Sequence, residues 1–100
     1  MDESYYFYDS NHGDCLRIMY KIAKDKYIIN GGYGKDEGKK GHWAAILTKK
    51  KVFSKNGKEF NCIIDFSMKE KKTHEHIYYA NWNKRKINWQ DGNEWLQLYF

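Results

Sequence analysis

Cys15, His42 and Asp65 supply a thiol, an imidazole and a carboxylate, the three groups from which an activated thiolate is assembled. His42 stands at the head of the apolar run HWAAIL, and Asp65 sits in IIDF, where an apolar strand would hold a carboxylate in a partly dry place. If residues 15–23 formed a helix, Cys15 would lie near its N-terminus, which lowers a thiol pKa. The structural alternative is plainer. A lone Cys packs as a small hydrophobe, a His ends a strand, and an Asp satisfies its own turn.

The order Cys, His, Asp along the chain resembles that of transglutaminase-like and papain-type hydrolases, and that likeness implies a thiol hydrolase using Cys15, His42 and Asp65. A second grouping joins His12 and Cys15, spaced H-x-x-C, to His74 and His76, spaced H-x-H. Four such groups could hold zinc tetrahedrally, and on a strand the two rings of H-x-H share a face. No C-x-x-C accompanies them, and Glu75 and the neighbouring lysines read as solvated surface. No metal and no cofactor are therefore expected.

The third grouping is IYYANWNKRKINW, residues 77–89. It interleaves Tyr78, Tyr79, Trp82 and Trp89 with Lys84, Arg85 and Lys86. Rings that stack on bases beside cations that follow phosphates are how single-stranded nucleic acid is held. Tyr78, Trp82, Lys84, Arg85 and Lys86 are the candidate ligand-binding residues. Here too a plainer reading exists, in which alternate rings are core and the others cover the sheet.

Composition sets limits on all three. The net charge is +5, which draws a surface towards polyanions. The basic residues are nearly all Lys; only Arg17 and Arg85 could make the bidentate contacts that read bases, so sequence-specific readout is not expected. Lys, Asn, Ile and Tyr are together enriched, as AT-rich coding sequence produces. No segment has the length and apolarity of a membrane-spanning helix. The opening residues MDESYY lack an apolar core, and Cys15 and Cys62 are the only cysteines. A cytoplasmic or nuclear-type reducing compartment and free thiols are expected.

The elements that must position these groups are strands. Aromatics make up 18% of the chain and favour β-structure. Residues 15–23 alternate, with Leu16, Ile18, Tyr20 and Ile22 on one face and Arg17 and Lys21 on the other; a short helix is the alternative, with Asp14 as its cap. The glycine-rich segment 30–41 lacks G-K-[ST] and reads as a surface loop. Residues 42–48, HWAAILT, resume an apolar run, which Lys49, Lys50 and Lys51 interrupt before Val52 and Phe53. Asn56-Gly57 and Asp91-Gly92 mark hairpins. For the second hairpin, a three-residue loop Gln90-Asp91-Gly92, with Gly92 left-handed, pairs Ile87 with Trp95. It puts Ile87, Trp89 and Trp95 on one face. Residues 83–86 form either a basic turn or the middle of one long strand.

One all-β domain over residues 1–100 is expected, a small antiparallel barrel or sandwich of about six to seven strands. The function expected is a binding or interaction module for nucleic acid or another polyanion, not a membrane protein. The alternatives are the thiol hydrolase and a structural or assembly protein acting as a homodimer through an exposed aromatic face.

Overall fold

The computed structural model describes residues 3–9, 15–32, 42–67 and 76–98, with only the backbone of Cys15, Gly32 and His42. Eight strands follow in order: β1 (Ser4–Asp9), β2 (Cys15–Ala23), β3 (Lys26–Gly32), β4 (His42–Phe53), β5 (Glu59–Asp65), β6 (Ile77–Asn83), β7 (Lys86–Trp89) and β8 (Glu94–Leu98). Each pairs antiparallel with its neighbour in sequence, and β8 returns to β1, closing a barrel with no free edge. The all-β barrel expected from the sequence is present, with eight strands rather than six or seven. Residues 15–23 form a strand, not a helix.

The terminal hairpin has the expected register. Ile87 lies opposite Trp95. Trp89 N–H donates to the Asn93 carbonyl at 2.9 Å, Gly92 N–H donates to the Trp89 carbonyl at 3.0 Å, and Gly92 has φ +91°. A Cβ is strained in that conformation, so the three-residue loop requires Gly92 or a near substitute. The β4–β5 hairpin repeats the device with Gly57 at φ +84° and an N–H bond from Gly57 to the Ser54 carbonyl at 2.9 Å. Residues 84 and 85 make the tight turn between β6 and β7, so the basic-turn alternative holds there.

Two strands differ from the pattern reading. Strand β4 runs unbroken through Lys49, Lys50 and Lys51, because a bulge between Lys49 and Val52 absorbs the charged stretch. Strand β2 alternates as expected, but its faces are the reverse of what hydrophobicity assigns. Leu16 and Ile22 are 43% and 55% exposed, whereas Arg17 and Met19 are buried.

Arg17 can be buried because neighbours from distant strands receive it. Its Nη2 lies 3.4 Å from Oδ2 of Asp9, which is equally buried, and Asn93 Nδ2 donates to the other Asp9 oxygen at 3.3 Å. The guanidinium lies over Trp43 at 4.9 Å and Trp95 at 5.5 Å. Gly31 makes room: a Cβ there would stand 2.5 Å from the Trp43 ring and 3.0 Å from Cδ of Arg17. The rest of the interior is filled by Phe7, Met19, Tyr27, Ile29, Leu47, Ile64, Ile87 and Trp89, with Ala45 and Ala80 where the walls approach.

Cys62 belongs to this core as a free, fully buried thiol. Burial pushes its pKa from 9.0 up to about 11, against the smaller opposing pull of the Trp82 backbone and the Lys49 ammonium. The thiol therefore stays protonated in the fold. Its contribution to stability is intact below the ordinary value of 9.0 and is lost as pH rises through about 11. Iodoacetamide near neutral pH is expected to leave Cys62 unlabelled until denaturant is added. Labelling of the folded chain at the rate of an open thiol would refute this burial.

Candidate nucleic-acid interface

In an up-and-down barrel alternate turns share an end. The β2–β3, β4–β5 and β6–β7 turns therefore lie together. Segments 24–26, 49–51, 55–59 and 84–85 reach this end and carry nine Lys and Arg against two carboxylates, Asp25 and Glu59. Glu59 is committed to Lys51 at 3.0 Å. Three rings close the barrel beneath: Tyr5, Tyr27 and Trp82 meet edge to face, with Trp82 5.1 Å from each of the other two. Lys49 lies over this floor, its Nζ 4.2 Å from the Trp82 ring centre and 5.4 Å from that of Tyr27. Those rings hold a cation above the core, where it enters solvent with its stem covered.

Beside this end an open groove of about 560 Å³ runs along the outer wall, lined in part by Lys55, Lys58, Phe60, Tyr78, Tyr79 and Gln90. Tyr79 stacks on Phe60 at 5.7 Å and 22°. Lys58 Nζ sits 5.3 Å from the Phe60 ring centre. Gln90 is fixed by both its ends: its Oε1 accepts the Tyr79 N–H at 2.6 Å, and its own N–H donates to the Tyr79 carbonyl at 2.9 Å. Ser54 shapes the loop opposite, taking the Lys58 N–H at 3.2 Å and donating its hydroxyl to Asn56. The lining has two lysines and no carboxylate. An aromatic plate, two cations and fixed amides fit a flat ring bearing an anion.

The sequence candidates are dispersed around this geometry. Tyr78 lines the groove while packing edge-on against Phe66 at 5.3 Å, and Trp82 is part of the barrel floor. Lys84 and Arg85 are exposed in their turn. Lys86 is paired with Glu94 at 3.3 Å. Sequence reasoning missed Lys55, Lys58 and Phe60 altogether and treated Tyr79 only as part of the strip. The signal available was the alternation of Lys with an aromatic after Asn56-Gly57, in KNGKEF.

The thiol-hydrolase grouping is only partly described. Cys15 opens β2 and His42 opens β4, with β3 between them, so at the usual spacing their backbones lie about 10 Å apart. Their side chains are outside the described residues. Asp65 is satisfied locally. It accepts the Ser67 N–H at 2.8 Å, and the Ser67 backbone and hydroxyl hold its carboxyl below the usual carboxylate range. Of the zinc candidates, His12 and His74 are outside the described residues and His76 is half-buried beside Phe66, whose N–H bonds to its carbonyl at 2.7 Å. Among the described residues no three His, Cys, Asp or Glu side chains converge on a metal position. No described helix is long and apolar enough to cross a membrane.

Comparison with protein-family models, with curated proteins and with solved structures finds no match to this chain.

Proposed function

We propose that this barrel is a binding module for polyanions. Its preferred ligand is single-stranded nucleic acid, taken with little sequence specificity. The observation that carries the reading is the excess of nine cations over two carboxylates in the turn segments at one end of the barrel, where Glu3 at the head of β1 is itself paired with Lys21. Such a concentration draws phosphates by counterion release rather than by base recognition. The groove favours nucleic acid over a purely electrostatic ligand, because Tyr79 offers a ring beside Lys55 and Lys58. Scarcity of Arg fits the same reading, since Lys acts on phosphate as a point charge.

Fluorescence anisotropy with a labelled single-stranded oligonucleotide at low salt tests it. With about three phosphate contacts, the slope of log K on log salt is expected near −2, at about −0.7 per contact. Neutralising Lys55, Lys58 and Lys84 together should remove most of that slope. Tyr79→Ala should cost about 1–3 kcal/mol of affinity with little change in slope, because it removes stacking and no charge. Absence of binding at micromolar protein would end the nucleic-acid reading. Equal binding to an oligonucleotide and to polyphosphate would keep the polyanion reading and remove the role of Tyr79.

A further inference from the structure

The wall formed by β8, β1 and β2 is apolar on its outside. Tyr8 lies opposite Leu16 on one side and Leu96 on the other; Tyr6 lies in the same way between Ile18 and Leu98. Two transverse rows, Leu96–Tyr8–Leu16 and Leu98–Tyr6–Ile18, therefore cross three adjacent strands. Tyr20 extends the face towards Ile28 on β3 and Ile46 on β4. None of these positions is charged: the ionic groups of β1 and β2 nearest the rows, Asp9 and Arg17, turn inward, and the Lys86–Glu94 pair beside Leu96 forms a neutral rim. Burying Arg17 is what sends the apolar half of β2 outward.

The extent of this face is that of an interface core. Tyr8, Leu16, Tyr20, Ile22, Leu96 and Leu98 are between 36% and 55% exposed. At roughly 200 Å² for a fully exposed large side chain, they leave about 500 Å² of apolar surface in water. A stable interface takes about 800 Å² from each partner, and in homodimers about 65% of it is apolar. The six side chains alone come close to the apolar part of such an interface. Closed barrels have no unpaired strand edge, so association must use side chains across a wall.

We infer that this wall is the two-fold interface of a homodimer. A second copy is the occupant the chemistry favours. The face is neutral, whereas the chain carries +5, so a charged partner finds no complement on it. An isologous contact needs only self-complementarity, and rows of Tyr between Leu and Ile supply it. With the two-fold axis perpendicular to the barrel axis, the two basic turn ends point in opposite directions, which separates their like charges.

Sedimentation equilibrium across a concentration series is the test. The parent chain is expected at twice 12.1 kDa at micromolar concentrations. Leu16→Glu and, separately, Leu96→Glu should each raise the dimer dissociation constant about a hundredfold or more, since a two-fold interface buries every introduced charge twice. Both sites are exposed, so an unchanged circular dichroism melt confirms that each variant folds. A parent that stays at 12.1 kDa throughout overturns the proposal and points to a different apolar partner. A dimer that survives both glutamate variants overturns the assignment of the interface to this wall. Binding of oligonucleotide is read separately, so loss of one property leaves the other assessable.

Discussion

Arg17→Ala is expected to lower the stability of this domain by about 3–5 kcal/mol, the usual cost of removing one partner of a buried ion pair. Asp9 would be left buried with only Asn93 and its other local contacts to replace a guanidinium 3.4 Å away. The change also removes the cation that Trp43 and Trp95 cover, and opens space over Gly31. Against a total of about 5–15 kcal/mol for a small domain, that loss is a large fraction. Arg17→Met with Asp9→Leu should cost less than either single change, because no charge is then stranded. Urea denaturation of the four forms measures the coupling. A loss under about 1 kcal/mol for Arg17→Ala would mean that water reaches Asp9 and that the pair is not part of the core.

The same residue shows where the sequence stops being informative. Period-two alternation in β2 was readable, since it depends only on neighbours along the strand. Which face turns inward was not. The answer depends on Asp9, Trp43 and Trp95, from three other strands, and on the missing Cβ of Gly31. The terminal hairpin was readable in full because its determinants are local: one glycine and the gain from gathering Ile87, Trp89 and Trp95 on one face. Strand β4 falls between these cases. Three lysines in a row look like a break, and a bulge carries the strand through them.

The candidate interface was legible as chemistry and not as geometry. Aromatic and basic side chains alternate in residues 77–89, and that pattern pointed to nucleic acid. Barrel closure then gave three of the rings other work, Trp82 in the floor, Tyr78 against Phe66 and Trp89 in the core. It brought Phe60, Lys55 and Lys58 from the preceding hairpin beside Tyr79 instead. No spacing rule within one segment could have found a pairing between residues 60 and 79, because the β5–β6 register sets it.

Trp95→Ala is expected to cost about 3–5 kcal/mol, the range for a large ring removed from a packed core. Trp95 is 4% exposed and stands between Trp89 at 4.7 Å and Phe7 at 6.4 Å, with Arg17 over its ring. It also sits on the strand that closes the barrel, opposite Asp9 on one side and Ile87 on the other. Truncation therefore leaves a cavity at the seam and uncovers the ion pair. The polar atom of the ring makes a separate contribution. Nε1 of Trp95, like that of Trp89, is buried without a hydrogen-bond partner among the described residues. An unmade bond of that kind carries a desolvation penalty of about 1–3 kcal/mol, which Phe would not incur. Trp95→Phe should therefore lose clearly less than Trp95→Ala, because it leaves a smaller cavity and strands no polar atom. Chemical denaturation of the two variants separates volume from polarity. Equal large losses would show that the indole N–H has a partner after all. A loss below about 1 kcal/mol for Trp95→Ala would mean that the seam closes without it.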